Sequence, residues 1–337
     1  MESLERTFLS PTAQSRSPCA CSFCQNPAMT DIFVLGPQRE RPNLTDAMRQ
    51  IESRGAICTI TAGWQQREGE VDDLQEHLES EVEDLQLYRR LDHALALDQE
   101  LAGAHRERQA RLRQRQRWYR RRLHHSMEAY LELAAETEAS AALLAEQRAA
   151  LNAIRALDRH HLRQIGAIHA AFTARWRPAM RPAMAEQRDA IVRRLETAAA
   201  VLVAGGHVAV LLSRLRLFGL VAELRSKPLI AWSAGAMALA ERVVLFHDSP
   251  PQGAGHAEVL DSGLALLPRL LPLPHARERL RLHDPRRVAL MAGRFHPLHP
   301  VTLDAGSLIR LSGSAPVMAQ GTARLTTRGN LAGAPLT

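Results

Sequence analysis

One serine lies where its hydroxyl could be activated as a nucleophile. Ser233 stands between an apolar run, 228–232, and a run of small residues that begins at Ala234, and Ala231 and Gly235 lie two positions either side of it. A serine on a strained strand-to-helix turn projects its hydroxyl over the carboxyl edge of a sheet, and only small flanking residues fit that turn. The following helix directs its N-terminus at the serine, which favours developing negative charge. The pattern favours a nucleophile elbow over an ordinary small-residue turn.

A serine hydroxyl becomes a good nucleophile only when an adjacent base takes its proton and a carboxylate orients that base. The chain has 15 histidines, so composition selects none of them. Asp248 follows the apolar run after the elbow helix and is our candidate for the carboxylate, with Glu258 and Asp304 as alternatives. Backbone N–H groups of Gly206, in a Gly-Gly pair, and of Ala234 can form an oxyanion hole.

Four segments carry motifs of a known family. They are the elbow, a strand that ends in Gly-Gly-His before a Leu-rich helix, a Leu-rich segment that ends in Leu-Pro-His, and the end of an earlier strand: 230–236, 203–207, 264–275 and 59–64. Together they resemble the serine peptidase family of aspartyl dipeptidase and cyanophycinase. The resemblance covers about 31–68 and 196–311. The family commonly has glycine where Ala231 stands, and alanine is still small enough for the turn.

The resemblance implies a fold and a catalytic histidine. The fold is α/β, with the flavodoxin-like, doubly wound and mostly parallel sheet of class I glutamine amidotransferases, here with a long all-α insertion. The base is His275, which lies 42 residues after Ser233. Amidotransferases of this fold carry cysteine at the elbow, so the serine points away from glutamine hydrolysis. The other histidines that we weighed are structural or surface groups in this interpretation: His207, His247, His256 and His283.

The implied function is that of a serine hydrolase, a peptidase that acts through an acyl-enzyme on a peptide or other small amide, without a cofactor or metal. Arg277 and Arg279 flank His275 and could bind an acidic substrate group, or they could be surface arginines. One alternative is a non-catalytic or regulatory relative whose helical block binds a partner. Another is an amidase or esterase that uses the same elbow.

The elements that must position these residues follow from hydrophobic periodicity. Continuous apolar runs predict buried strands near 32–35, 57–61, 200–204 and 229–232, in one mostly parallel sheet. Between them, Leu and Ala spaced three and four apart predict long amphipathic helices. We therefore expect the following division: a disordered tail over 1–30, the first part of the α/β domain over 31–69, a helical insertion over 70–197, the second part of the α/β domain over 198–325, and a flexible tail over 326–337.

The positive charge of the chain is concentrated in one segment. The net charge is +7, and residues 106–122 hold nine arginines against Glu107. A nucleic-acid surface with Trp118 and Tyr119 as stacking groups is one interpretation. We favour a solvated helix whose arginines pair with the glutamates of 70–83, and expect no nucleic-acid partner.

The N-terminal segment and the apolar runs bear on cellular location. Cys19, Cys21 and Cys24 could supply three thiolates to a metal, but no fourth ligand lies nearby, so we interpret them as incidental. No signal-peptide pattern is present, and no apolar run reaches the roughly 20 residues of a membrane span. We expect a cytoplasmic protein without a membrane partner. The helical period is also compatible with a homodimer.

Overall fold

The computed structural model describes residues 30–52, 55–137, 140–248, 255–312 and 315–333. The three cysteines of the N-terminal segment lie outside these residues, as does all of the expected tail except Thr30. The strands are β1 Ile32–Leu35, β2 Ala56–Ile60, β3 Val82–Asp84, β4 Ala198–Val203, β5 Leu229–Trp232, β6 Arg242–Leu245, β7 Glu258–Ser262, β8 Leu270–Pro274, β9 His299–Leu303, β10 Leu308–Ser312, β11 Ala315–Gln320, β12 Ala323–Leu325 and β13 Leu331–Gly333. The helices are α1 Leu44–Met48, α2 Asp72–Leu78, α3 Leu87–Leu97, α4 Gln99–Ala135, α5 Ala141–Trp176, α6 Pro182–Thr197, α7 Val208–Phe218, α8 Val221–Arg225, α9 Ala234–Leu239, α10 Ala276–Arg279 and α11 Pro285–Phe295, with 3-10 turns at Ala62–Arg67 and Pro178–Met180.

The central sheet has seven strands in the order β11-β10-β1-β5-β4-β2-β3. The five from β1 to β3 in this order are parallel, and β10 and β11 add an antiparallel edge. Every residue of β1, β4 and β5 is buried, as expected for parallel strands covered on both faces. The four strands predicted from apolar runs therefore lie in one mostly parallel sheet, which confirms that expectation.

The C-terminal part of the chain forms two smaller sheets. One has the order β13-β12-β9-β8, with β8 and β9 parallel, and the other pairs β6 with β7. After β12 the chain turns and continues as β13, which pairs with β12 and ends at Gly333. The segment after residue 326 was expected to be a flexible tail, but as far as Gly333 it belongs to this hairpin.

The helical insertion is dominated by α4 and α5, which pack against each other along 37 and 36 residues, or roughly 55 Å each. Before them, the chain adds β3 to the edge of the central sheet beside β2. This strand was not predicted from the sequence because it has only three residues, of which only Val82 is buried.

A buried polar cluster joins the insertion to the α/β domain. Tyr119 of α4 donates a 2.8 Å hydrogen bond to Asp158 of α5, and Arg294 of α11 donates to the same carboxylate at 2.7 and 2.8 Å. The Tyr119 hydroxyl also accepts the backbone N–H of Val259 in β7 at 3.1 Å. Asp158 and Arg294 are 1% and 2% exposed, so their charges are removed from water together.

The arginines of 106–122 do not pair as expected. Arg120 binds Glu258 at 2.5 Å, and Arg108 lies 4.3 Å from the ring centre of Phe172. Among the described residues, none of the nine arginines forms an ion pair with a glutamate of 70–83, where Glu70 pairs with Arg67 and Glu83 with Arg194. Trp118 is 49% exposed, whereas Tyr119 is buried and cannot stack on a nucleobase. Over the described residues, no helix combines the length and apolar character that a membrane span requires.

Candidate active site

Ser233 lies at the carboxyl end of β5, in the middle of the central sheet. Its backbone has φ 50° and ψ −119°, which is strained for a residue with a side chain. Its carbonyl accepts the N–H of Met237 at 3.2 Å and begins α9. This is the geometry that a nucleophile elbow requires, and the side chain is partly exposed.

The turn is possible because neighbouring backbones approach very closely. A Cβ at Gly235 would lie 2.1 Å from the carbonyl oxygen of Val203 in β4. A Cβ at Gly205 would lie 3.0 Å from the Cβ of Ser233. Ala231, the other small residue of the motif, is completely buried. Glycine at 235 is therefore required sterically, since any side chain would push α9 away from β4.

The Gly-Gly loop after β4 lies against Ser233 and against the 3-10 turn at Ala62–Arg67. His207 donates its backbone N–H to the carbonyl of Gly63 at 2.8 Å. Gly206 is exposed and has φ 106°, and a Cβ there would lie 2.5 Å from the same carbonyl. Within the described residues, the N–H groups of Gly206 and Ala234 donate to no other group, so both are available to an oxyanion. In the sequence, Gly63 is distinguished only by its place in the segment 59–64, which resembles the family.

His275 follows β8, and α9 packs against that strand. The residue is left-handed at φ 57°, and its N–H donates to the carbonyl of Leu303 in β9 at 3.1 Å. Its Nδ1 lies 3.5 Å from the Glu278 carboxylate, which is 66% exposed. Ser233 thus follows β5 and His275 follows β8, two strands that both contact α9, although no hydrogen bond joins Ser233 to His275 within the described residues.

Asp304 follows β9 and is the carboxylate next to His275 in the strand register, where Pro274 pairs with Leu303. Its Oδ1 accepts the Arg277 N–H at 3.0 Å, and its side chain is 14% exposed. Its backbone lies against the end of β1, because a Cβ at Gly36 would be 1.9 Å from the Asp304 carbonyl oxygen.

The end of β1 is in turn level with Ser233. Leu35 pairs with Trp232 in the register of β1 and β5, so Gly36 and Ser233 follow paired residues. The contact between Gly36 and Asp304 therefore connects the sheet of β8 and β9 to β1, the neighbour of the strand that carries the elbow. Asp304 was an alternative in the sequence, but no local pattern indicates this contact between distant segments.

The other two candidate carboxylates have different partners. Asp248 accepts from the Arg287 guanidinium at 2.7 Å and from the Arg281 N–H at 2.8 Å, and its own N–H donates to the Arg279 carbonyl. Glu258 binds Arg120 of α4. Neither carboxylate has a hydrogen bond to His275 among the described residues, and Asp248 instead connects α10 with α11.

The remaining predicted side chains lie around α10 and α7. Arg277 is 80% exposed, with its Nε 3.5 Å from the Asp304 carboxylate. Arg279 contributes its backbone carbonyl to Asp248. His207 caps α7 by accepting the Val210 N–H on its Nδ1.

The other histidines weighed in the sequence lie elsewhere: His247 and His283 are exposed, and His256 lies beside His124 of α4. His124, His125 and Glu128 of α4 place three potential metal-ligand atoms within 4.8 Å of one another, and all three residues are exposed.

Two acids near these loops, one buried and one partly buried, were not predicted from the sequence. Glu68 is completely buried, and burial raises its pKa to about 7. Burial also raises the pKa of Asp84. In the sequence both belong to an acid-rich segment, and nothing in their spacing distinguishes them from their exposed neighbours.

Comparison with known proteins adds a family to this geometry. Residues 176–315, which include the elbow, His275 and Asp304, match Peptidase family S51. The matched segment begins at the end of α5, so β1, β2 and β3 lie outside it. A solved structure, the crystal structure of a peptidase from an acI-B1 Actinobacterium, is similar at 11% identity and a TM-score of 0.45, over 90% of this chain and 93% of that chain. No curated protein matches the chain.

Proposed function

We propose that this protein is a serine peptidase of family S51 that cleaves a peptide or other small amide through an acyl-enzyme on Ser233. The observation that carries the proposal is the left-handed backbone of Ser233 between β5 and α9. Strain of this kind persists where the surrounding structure enforces it, and here Gly235 and Gly205 provide the necessary space. The match of residues 176–315 to a peptidase family supports the same activity.

In this mechanism the Ser233 hydroxyl transfers its proton to His275 as its oxygen bonds to the substrate carbonyl carbon. The N–H groups of Gly206 and Ala234 stabilise the oxyanion. When the carbonyl reforms, the carbon–nitrogen bond breaks and His275 returns the proton to the leaving amine. Water then attacks the carbonyl carbon of the acyl-enzyme while His275 takes its proton. When the ester bond breaks, His275 returns the proton to the Ser233 oxygen and the acid product leaves.

We assign the orienting carboxylate to Asp304 in place of Asp248. Asp304 follows the strand beside His275 and is largely buried, as an orienting carboxylate should be. Both oxygens of Asp248 already accept hydrogen bonds from Arg281 and Arg287. Glu278 contacts His275 in this structure, but its exposure weakens any influence on the imidazole.

The finer fold assignment also belongs to this proposal. Counted from β2, the order β3-β2-β4-β5 is the 2-1-3-4 arrangement of flavodoxin-like sheets, with β1 in the fifth position. This order supports the class I glutamine amidotransferase-like fold. It also puts Ser233 at the carboxyl edge, where ligands of such sheets bind.

An acidic substrate group is the finer specificity that we propose, in line with the resemblance to aspartyl dipeptidase and cyanophycinase. Arg277 supports it, because it is two residues after His275 and its exposed guanidinium lies beside Asp304. Arg279 contributes less, since α10 uses its backbone to hold Asp248.

The test is covalent labelling of the full chain with a fluorophosphonate, followed by mass spectrometry of the labelled peptide. We expect the label on Ser233, and a loss of about 10³-fold or more in labelling rate for Ser233→Ala and for His275→Ala. Ser226→Ala is the matched control, because its exposed hydroxyl bonds only to the Glu223 carbonyl. Asp304→Asn should slow labelling more than Asp248→Asn does.

An unlabelled wild-type chain would overturn the proposal. It would favour the non-catalytic alternative, in which the helical block binds a partner. A stronger effect of Asp248→Asn than of Asp304→Asn would return the orienting role to Asp248.

A further inference from the structure

Two carboxylates, Glu68 buried and Asp84 partly buried, belong to or contact the segment 61–69, which packs against the Gly-Gly loop that we assign to the oxyanion hole. Glu68 accepts the N–H groups of Tyr88 and Arg89 at 2.7 and 2.8 Å, in the first turn of α3. Asp84, at the end of β3, accepts the Thr61 hydroxyl at 2.6 Å and the Gln86 N–H at 2.7 Å. Each oxygen of both carboxylates therefore accepts a hydrogen bond from a neighbouring element.

Thr61 connects these acids to the segment that follows β2. Its hydroxyl oxygen accepts the N–H of Gly69 at 3.2 Å while donating to Asp84. Its carbonyl accepts the N–H of Trp64 at 2.7 Å. The loop from Thr61 to Gly69 is thus closed on itself by Thr61, and its far end is held against α3 by Glu68.

This loop carries Gly63, which touches the Gly-Gly loop directly. The Gly63 carbonyl accepts the His207 N–H, and a Cβ on Gly63 would lie 2.5 Å from the Gly205 carbonyl and 3.3 Å from the Cα of Gly206. Because the two backbones are in direct contact, a displacement of the first loop must displace the second.

We propose that Glu68 and Asp84 are positioning residues, which hold the loop of Gly63 and through it fix the direction of the Gly206 N–H. The inference rests on the proposed function, since that N–H matters only if it binds an oxyanion. A displacement of about 1 Å in such a group can slow a reaction by about 10²-fold. The carboxylates touch no substrate and act through the loops alone.

The ionised form of Glu68 is the one that positions the loop. A protonated carboxyl would present an O–H to one of its two N–H donors and lose that bond. Burial, opposed by the hydrogen bonds of Tyr88 and Arg89, raises the Glu68 pKa to about 7, and the charge of Asp84 adds to the increase. The cations that face it are Arg89 and Arg90 of α3 and Arg214 of α7.

The test measures the fluorophosphonate labelling rate of the full chain from pH 5.5 to 8.5. We expect Glu68→Gln to label about ten-fold more slowly at pH 8, because the amide offers one acceptor oxygen for two N–H donors. Below pH 7 the wild-type rate should fall more steeply than the variant rate, because only the wild type also protonates Glu68. The variant should unfold at the same or higher denaturant concentration at pH 8, which a purely structural role would not produce.

Glu223→Gln is the matched control, since Glu223 is a half-buried carboxylate that pairs with Arg188 in another part of the fold. It should label at the wild-type rate. If Glu68→Gln fails to fold, Thr61→Val and Thr61→Ser decide the question. Valine removes the hydroxyl that links Asp84 to Gly69 and should slow labelling, whereas serine should restore it.

Two different failures can be told apart. If the wild type labels at Ser233, but Glu68→Gln labels at the same rate with the same pH dependence, the positioning role is wrong and the proposed function stands. Equal rates for Thr61→Val and Thr61→Ser would have the same meaning. If the wild type does not label, the proposed function fails and this inference falls with it.

Discussion

The elbow edge and the contact between the helical insertion and the α/β domain are built in opposite ways. At the elbow, Gly235 and Gly205 let backbone and Ser233 meet at distances that exclude other side chains. Where the insertion contacts the α/β domain, large charged side chains meet instead. Arg294 and Asp158 are hydrogen-bonded there, and both are almost completely buried. The elbow therefore depends on glycines that have no Cβ, and the contact of the insertion depends on a buried ion pair.

This difference sets how each region tolerates change. A missing Cβ has no substitute, since any replacement adds volume where a carbonyl already lies. A buried ion pair can be exchanged as a pair for apolar groups, although the loss of one partner strands the other charge. We expect the elbow edge to be sensitive at each position and the insertion contact to be sensitive only when its pair is broken.

The largest stability effect should come from breaking that pair. Asp158→Asn leaves the Arg294 guanidinium without its counter-ion and should lower the unfolding free energy by about 3–5 kcal/mol in urea denaturation. The exchange of both residues, Asp158→Leu with Arg294→Met, should recover most of that loss. A double variant as unstable as the single one would end the distinction drawn between the two regions.

A somewhat smaller loss is expected at the elbow. Gly235→Ala puts a Cβ 2.1 Å from the Val203 carbonyl, so α9 must move, at about 2–4 kcal/mol and with slower labelling of Ser233. Gly166→Ala is the matched control in α5, where a Cβ would meet nothing within 4 Å. It should stabilise the chain by about 1 kcal/mol, since alanine favours helix. Equal effects at the two glycines would contradict the close packing of the elbow.

The smallest effect is a pH dependence from Glu68. Its pKa is raised from 4.5 to about 7 by burial, so the folded chain binds the proton more tightly than the unfolded chain does. The stability contribution is full below about pH 4.5 and is lost as the pH rises through about 7, with a total of about 2–3 kcal/mol.

Denaturation of wild type and Glu68→Gln between pH 4.5 and 8 measures this contribution as the difference between the two curves. Asp84, whose pKa is also raised, adds a change of the same sign to both curves. Parallel curves would show that Glu68 ionises as it does in the unfolded chain. The ionised Glu68 carboxylate would then not destabilise the folded chain near the elbow.

Much of the fold could be predicted where the signal is local. The apolar runs of β1, β4 and β5 predict buried strands because each run carries its own burial pattern. The helical block from 87 to 197 is likewise predicted by its periodicity. The short edge strand β3 and the β12–β13 hairpin gave no such signal, because pairing with a neighbour rather than an apolar run defines them.

The candidate site divides along the same line. Ser233 could be selected from its own sequence neighbours, since the steric demands of the turn fall on residues two positions away. The carboxylate could not, because Asp248, Glu258 and Asp304 all follow or begin apolar runs. Only the parallel pairing of β8 with β9 brings Asp304 beside His275. Likewise, only the structure shows that Asp248 and Glu258 form ion pairs with arginines.

The sequence by itself determined the serine, its strand and its helix, because backbone sterics act over a few residues. The tertiary structure decided which loops surround that serine. The contact of Gly36 with Asp304 and that of Gly63 with the Gly-Gly loop join segments far apart in the chain. Such contacts depend on strand order and on the twist of the packed sheets, which no local pattern encodes.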